Sequence, residues 1–296
     1  MRSPRLILGP VLIFIAASCG YAQSQPATSS QVDSLVANGS AALQQGDATT
    51  AETNFRQALA LAPRSIEVLN DLAISLVKQD KLADAVPFYR RALAVRPGDP
   101  ATTRNLALDY FKQQKYSSAL PLFESLNSHN PSDFQAADLA GYCSFGLDRY
   151  AEAAKYLERA SRLQPANLLT LYTLGQAYLR SSNYKAVTDV FARIVAINPN
   201  SPEAHVMMGT AYDKMFQDDK ALAEYQAAER ADPDFAGVHS GIGLLDWKLG
   251  KVDEAEAEFR QELKRFPSDA VSNCLLGEIE MRRGDSARAR TFYQAA

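Results

Sequence analysis

The residues able to do chemistry in this chain are few and widely spaced. Three histidines (His129, His205, His239) and three cysteines (Cys19, Cys143, Cys274) stand among 296 residues. His205 and His239 are 34 residues apart. If that interval is a structural repeat, the two rings lie near each other, where they could begin a metal site or respond to pH. No further ligand accompanies them, and zinc usually fills four positions. The alternative is that both are partly buried packing residues. Ser240-Gly241-Ile242-Gly243 contains a bare Gly-x-Gly, but no strand precedes it, so a dinucleotide loop is not expected. No His-Glu-x-x-His, Cys-x-x-Cys, Gly-x-Ser-x-Gly or phosphate-loop pattern occurs. The chain therefore reads as a non-enzyme that implies no cofactor and no metal.

The elements that position these residues repeat at a fixed interval. Prolines stand at Pro63, Pro97, Pro131, Pro165, Pro199, Pro233 and Pro267, every 34 residues. Gly39, Ala73, Ala107, Gly141, Gly175, Gly209, Gly243 and Gly277 form a second column in the same register. Ala51, Ala85, Ala119, Ala153, Val187, Ala221, Ala255 and Ala289 form a third, and Phe55, Tyr89, Phe123, Leu157, Phe191, Tyr225, Phe259 and Tyr293 a fourth. A small residue lets a neighbouring helix approach. The large residue four positions after the Ala column lies on the same helical face and fills the gap. Proline cannot continue a helix and marks its stop. Each unit thus reads as two antiparallel helices, with Gly46, Gly250 and Gly284 placed for left-handed caps between them. One pair cannot bury both faces, so stacking into an all-α solenoid follows.

Composition agrees with that architecture. The chain is 47% hydrophobic and 22% charged, close to an ordinary folded protein. Its net charge of −3 gives no basic excess, so nucleic acid is not an expected partner. Cys143 and Cys274 fall in the fourth and eighth units, too far apart to form an intramolecular disulfide.

Residues 1–22 read as an export signal. Arg2 and Arg5 precede an apolar run from Leu6 to Ala17, and Gly20-Tyr21-Ala22 supplies small residues before a cut at Gln23. The run is too short for an ordinary membrane-spanning helix. Ala16-Ala17-Ser18-Cys19 also resembles the lipobox of bacterial lipoproteins, imperfectly, since Ala16 replaces a large aliphatic. Lipidation at Cys19 would tether the chain to a membrane. Residues 23–31 read as a polar linker, 32–269 as seven full units, and 270–296 as an eighth, truncated one.

The four columns resemble the tetratricopeptide repeat family over residues 32–296. The resemblance implies a right-handed superhelical solenoid of antiparallel helix pairs whose first helices line a concave groove for protein or peptide partners. It places the fifth, ninth and twelfth positions of each first helix on the groove. Those positions include Asn70, Arg104, Leu108, Phe111, Asp138, Tyr142, Phe145, Tyr172, Gln176 and Trp247. The alternative for the aromatics is packing between neighbouring helices. Some members clamp a C-terminal carboxylate with Lys, Asn and Arg at set positions. Arg104 and Asn105 suggest that arrangement, but Asn70, Ile74, Leu108 and Leu139 do not complete it.

Two columns depart from the bland pattern. Lys78, Lys112, Arg180, Lys214, Lys248 and Arg282 recur near the ends of first helices, where a cation suits the dipole or could meet an acidic ligand. Glu262 stands where most units carry a small or apolar residue. The functional expectation is an exported, non-enzymatic scaffold in the periplasm or outside the cell, in envelope assembly or secretion. The alternative is a regulatory or carrier subunit of an envelope enzyme complex, such as one for polysaccharide synthesis. The outer face of the last pair, without a recognisable capping helix, is expected to meet solvent, a second copy or a partner.

Overall fold

A computed structural model describes residues 29–296. The expected export signal, Cys19 and residues 23–28 lie outside the described residues. The first helix begins at Ser29, so residues 29–31, expected as the end of a linker, are helical.

Sixteen helices follow one another among the described residues, with no strand. They form eight pairs: α1 (Ser29–Gln44) with α2 (Ala48–Leu61), α3 (Ile66–Lys78) with α4 (Leu82–Val95), α5 (Pro100–Lys112) with α6 (Tyr116–His129), and α7 (Phe134–Gly146) with α8 (Tyr150–Leu163). The series continues with α9 (Leu168–Arg180) and α10 (Tyr184–Ile197), α11 (Pro202–Lys214) and α12 (Asp218–Ala231), α13 (Val238–Lys248) and α14 (Val252–Arg265), then α15 (Ala270–Arg282) and α16 (Ser286–Ala295). Each helix packs on the next, giving an all-α solenoid. Successive first helices also touch, as α3 does α5 and α7 does α9, so they build one continuous wall.

Local chemistry sets the helix ends. Ser65, Asp99, Asp133, Asn167, Ser201 and Asp269 each accept a hydrogen bond from a backbone N–H three residues on, capping a first helix. The second helices from α2 to α14 stop two residues before the proline column. The turn inside every pair contains one left-handed residue. Gly46, Gly250 and Gly284 take it, as expected, at φ of 82°, 76° and 83°. Asp80, Gln114, Asp148, Ser182 and Phe216 adopt the same conformation without being glycine. Short polar side chains tolerate that region; Phe216 is neither short nor polar, and its side chain is largely exposed.

The small and aromatic columns meet directly. A Cβ built on Gly175 would lie 2.4 Å from the Phe191 ring, and one on Gly39 would lie 2.6 Å from Phe55. Gly141 stands in the same relation to Leu157, Gly209 to Tyr225 and Gly243 to Phe259. The close approach is therefore made by the large side chain of the same pair. Phe55, Tyr89, Phe123, Leu157, Phe191, Tyr225 and Phe259 are all buried and run as a spine through the core. Tyr293, in the last pair, is exposed.

Candidate interaction groove

The fifth-position residues of four successive first helices are tied to the unit that follows. Asn70 Nδ2 donates to Thr102 Oγ1 at 2.7 Å. Arg104 pairs with Asp133 at 2.5 Å. Thr170 Oγ1 donates to Asp138 Oδ1 at 2.8 Å, and the hydroxyls of Tyr172 and Ser201 lie 2.7 Å apart. Asp133 and Ser201 are also N-caps. These contacts hold one first helix against the next and so set the geometry of the wall.

The aromatic candidates pack one face inward. The Phe111 ring lies 5.7 Å from Tyr116 and 6.4 Å from Phe123, within its own pair. Phe145 meets Tyr150 at 5.3 Å and Tyr172 meets Phe191 at 5.8 Å. Trp247 packs on the core of the last two pairs, and the Arg282 guanidinium lies 4.4 Å from its ring centre. Leu108, Tyr142 and Gln176, the ninth-position residues, are half-buried on the wall. The Tyr142 hydroxyl is buried without a hydrogen-bond partner.

Three carboxyls in successive first helices share an electrostatic peculiarity. Burial, helped by nearby Glu67, pushes Asp71 up to about 6. Burial also raises Asp109 and Asp138, the latter partly offset by its Thr170 bond. Of these the sequence reading named only Asp138. The signal for Asp109 was its column, which elsewhere holds Ser75, Cys143, Ala177 and Ala211. Asp109 borders a cavity of about 130 Å³ between α3 and α5, together with Ile74, Val77, Lys78, Tyr89, Asn105, Leu108 and Lys112.

The histidines are organised separately. His205 Nδ1 lies 2.7 Å from Glu224 Oε2, and His239 Nδ1 lies 2.7 Å from Glu258 Oε2. Each pair joins a first helix to its own second helix. Among the described residues no three His, Cys, Asp or Glu side chains converge as a metal site. His129 Nδ1 lies 2.7 Å from the Ser125 carbonyl at the end of α6. Cys143 is buried, which pushes its thiol up to about 12, and Cys274 is exposed.

All six residues of the basic column sit in the last turn of a first helix. Lys248 additionally pairs with Asp213. Glu262 has a defined structural task. Phe235 stands where other units carry a capping Ser, Asp or Asn, and α13 starts late, after Gly237 at φ 89°. The buried Glu262 carboxylate reaches from α14 and accepts from Gly237 N at 2.8 Å and Ser240 N at 3.2 Å. It caps α13 from another helix.

Comparison with known proteins agrees with this geometry. A model described as tetratricopeptide repeat matches residues 36–100, 206–270 and 240–296, and a second with that description matches 145–208. The chain belongs to the tetratricopeptide repeat family. A model of anaphase-promoting complex, cyclosome, subunit 3 matches residues 78–160. Small glutamine-rich tetratricopeptide repeat-containing protein 2 of Mycosarcoma maydis is 25% identical over 97 residues, covering 33% of this chain and 28% of that protein. Cellulose synthase 1 operon protein C of Komagataeibacter xylinus is 35% identical over 80 residues, covering 27% of this chain and 6% of that one. The chain thus spans under a third of either relative's length. Among solved structures, YrrB, a TPR protein with an unusual peptide-binding site, superposes with a TM-score of 0.54 at 19% identity, covering 67% of this chain and 97% of that one. A tetratricopeptide repeat protein from Parabacteroides merdae gives 0.52 at 18% identity, covering 83% and 98%. At these identities the likeness shows the fold. The chain is a tetratricopeptide repeat solenoid, and the family models that match it describe no enzyme.

Proposed function

We propose that this solenoid is an exported scaffold that holds an extended segment of a partner protein along the wall built by α3, α5, α7 and α9. The observation that carries the reading is a set of half-buried side chains left over after the wall has been assembled. Asn70, Arg104, Asp138 and Tyr172 are engaged between units, whereas Leu108, Tyr142 and Gln176 stand between those ties. They offer apolar surface with spaced polar groups, which suits an extended peptide. Phe111, Phe145 and Trp247 contribute the face their packing leaves open.

Export rests on the charged and apolar pattern of residues 1–22, with Cys19 as a lipidation site in the tethered form. The setting is the cell envelope, in assembly or secretion. One observation favours a second reading, a carrier or regulatory subunit for an envelope polysaccharide synthase. It is the 35% identity over 80 residues to a cellulose synthase operon protein. Self-association at the exposed last pair belongs to the same proposal.

Photo-crosslinking in cells tests the groove. A crosslinker at Leu108 or Gln176 is expected to capture a partner that one at Gln226, exposed on α12, does not. Capture from Gln226 alone would move the site off the groove. A captured glycosyltransferase would select the second reading. Fractionation of a Cys19→Ser variant tests the tether: release from the membrane supports lipidation, and unchanged distribution refutes it.

A further inference from the structure

The cavity between α3 and α5 contains a carboxylate that the fold does not use. Asp109 is 1% exposed, and neither of its oxygens has a hydrogen-bond partner. A buried acceptor left unmade is costly. Gln113, one turn on, lies close enough to pull on the carboxyl, yet its amide nitrogen is also unpartnered. Equivalent positions hold Ser75, Cys143, Ala177 and Ala211, so helix packing at this point needs no acid. The cavity walls are Ile74, Val77 and Leu108, with Lys78 and Lys112 exposed at its edge.

We propose that this cavity takes one basic side chain from a partner's extended segment, with its charged end on Asp109 and its stem along Ile74, Val77 and Leu108. Apolar walls leading to a buried carboxylate match an aliphatic stem that ends in a cation. About 130 Å³ is room for a side chain rather than a whole ligand. Among the described residues Lys78 and Lys112 belong to no salt bridge, and Lys112 acts on Asp109 only as a nearby charge, so both are available to acidic residues on either side of the inserted one. The partner motif is therefore a lysine or arginine flanked by acids. A bare polycation would meet both lysines and be disfavoured. This assignment rests on the groove reading above and adds the chemistry of one subsite.

The test uses two labelled heptapeptides, identical except that one carries arginine and the other neutral citrulline at the centre, with aspartates on both sides. Fluorescence anisotropy reads their affinities for the wild-type chain. The expected preference for arginine is about ten-fold, the scale of one charge-assisted hydrogen bond. Asp109→Asn should reduce the preference to less than about two-fold. Asp109→Ser, which installs the residue of the preceding unit, should do the same and guards against a folding defect in the first variant. Lys78→Ala with Lys112→Ala should weaken both peptides together. Equal affinities in the wild type, binding of neither peptide, or a preference that survives both Asp109 variants would overturn the assignment. Crosslinking from Leu108 and Gln176 would persist in that case if the groove reading alone were right.

Discussion

Replacing Glu262 with alanine should unfasten the start of α13. The carboxylate is 2% exposed and takes hydrogen bonds from Gly237 N at 2.8 Å and Ser240 N at 3.2 Å. Alanine leaves the buried Ser240 N–H without an acceptor, at about 1–3 kcal/mol, and the half-buried Gly237 N–H at less than that. It also removes a negative charge from the positive end of a helix, worth roughly 0.3–1 kcal/mol and more when partly buried. The terms overlap, so a total of about 2–4 kcal/mol is expected. Glu262→Gln keeps one acceptor oxygen and should cost about 1–2 kcal/mol. Solenoids need not unfold in one step, so the primary assay is hydrogen exchange of the α13 amides, supported by urea unfolding. Phe235→Asp places a capping residue where Ser65, Asp99 and Asp269 stand in other units. Phe235 packs beside the Tyr225 cluster, so alone it should destabilise. Combined with Glu262→Ala it should cost less than the two single changes added together. Wild-type protection of α13 in Glu262→Ala, with a loss below about 1 kcal/mol, would refute the capping argument.

Two further predictions concern the spine and the carboxyl of Asp71. Gly175→Leu forces a side chain into the Phe191 ring, since even a Cβ would lie 2.4 Å away, and should lower stability by at least about 1–3 kcal/mol in chemical denaturation; a neutral result would mean that the helices are not packed there as described. Asp71 holds its proton up to about pH 6 when folded, against 3.8 ordinarily, so its unfavourable contribution appears as pH rises through that interval and is complete above it. Asp71→Asn should therefore raise stability at pH 7.5, by up to about 2–3 kcal/mol at roughly 1.4 kcal/mol per unit, and by no more than about 0.6 kcal/mol at pH 4. Thermal melts at both pH values decide it, and an equal gain at both would remove the role assigned to ionisation.

Much of the architecture was legible because its determinants are local or strictly periodic. The proline column marks where second helices stop, and the small and large columns mark which faces meet. Helix pairs of 13 and 14 residues follow from them. Left-handed turns were legible only at Gly46, Gly250 and Gly284. Asp80 and Phe216 adopt the same backbone because the capping hydrogen bonds of the turn demand it, whatever side chain is present.

The site was less legible, because its residues act across units. Counting positions selected Asn70, Arg104, Asp138 and Tyr172, but their partners Thr102, Asp133, Thr170 and Ser201 are 29 to 32 residues away. Whether such a side chain faces a ligand or a neighbouring helix depends on the rotation between units, which packing alone sets. Glu262 shows both halves. Its break with an apolar column was visible in the sequence, while its task, closing a helix whose own cap position holds Phe235, became visible only when α14 was placed against α13. The sequence by itself determined the repeat, the helices and the buried spine, because each depends on residues within one turn or one fixed interval. Tertiary structure alone decided which polar groups are spent on joining units and which remain, as at Asp109, because hydrogen bonding between helices depends on distances that no spacing encodes.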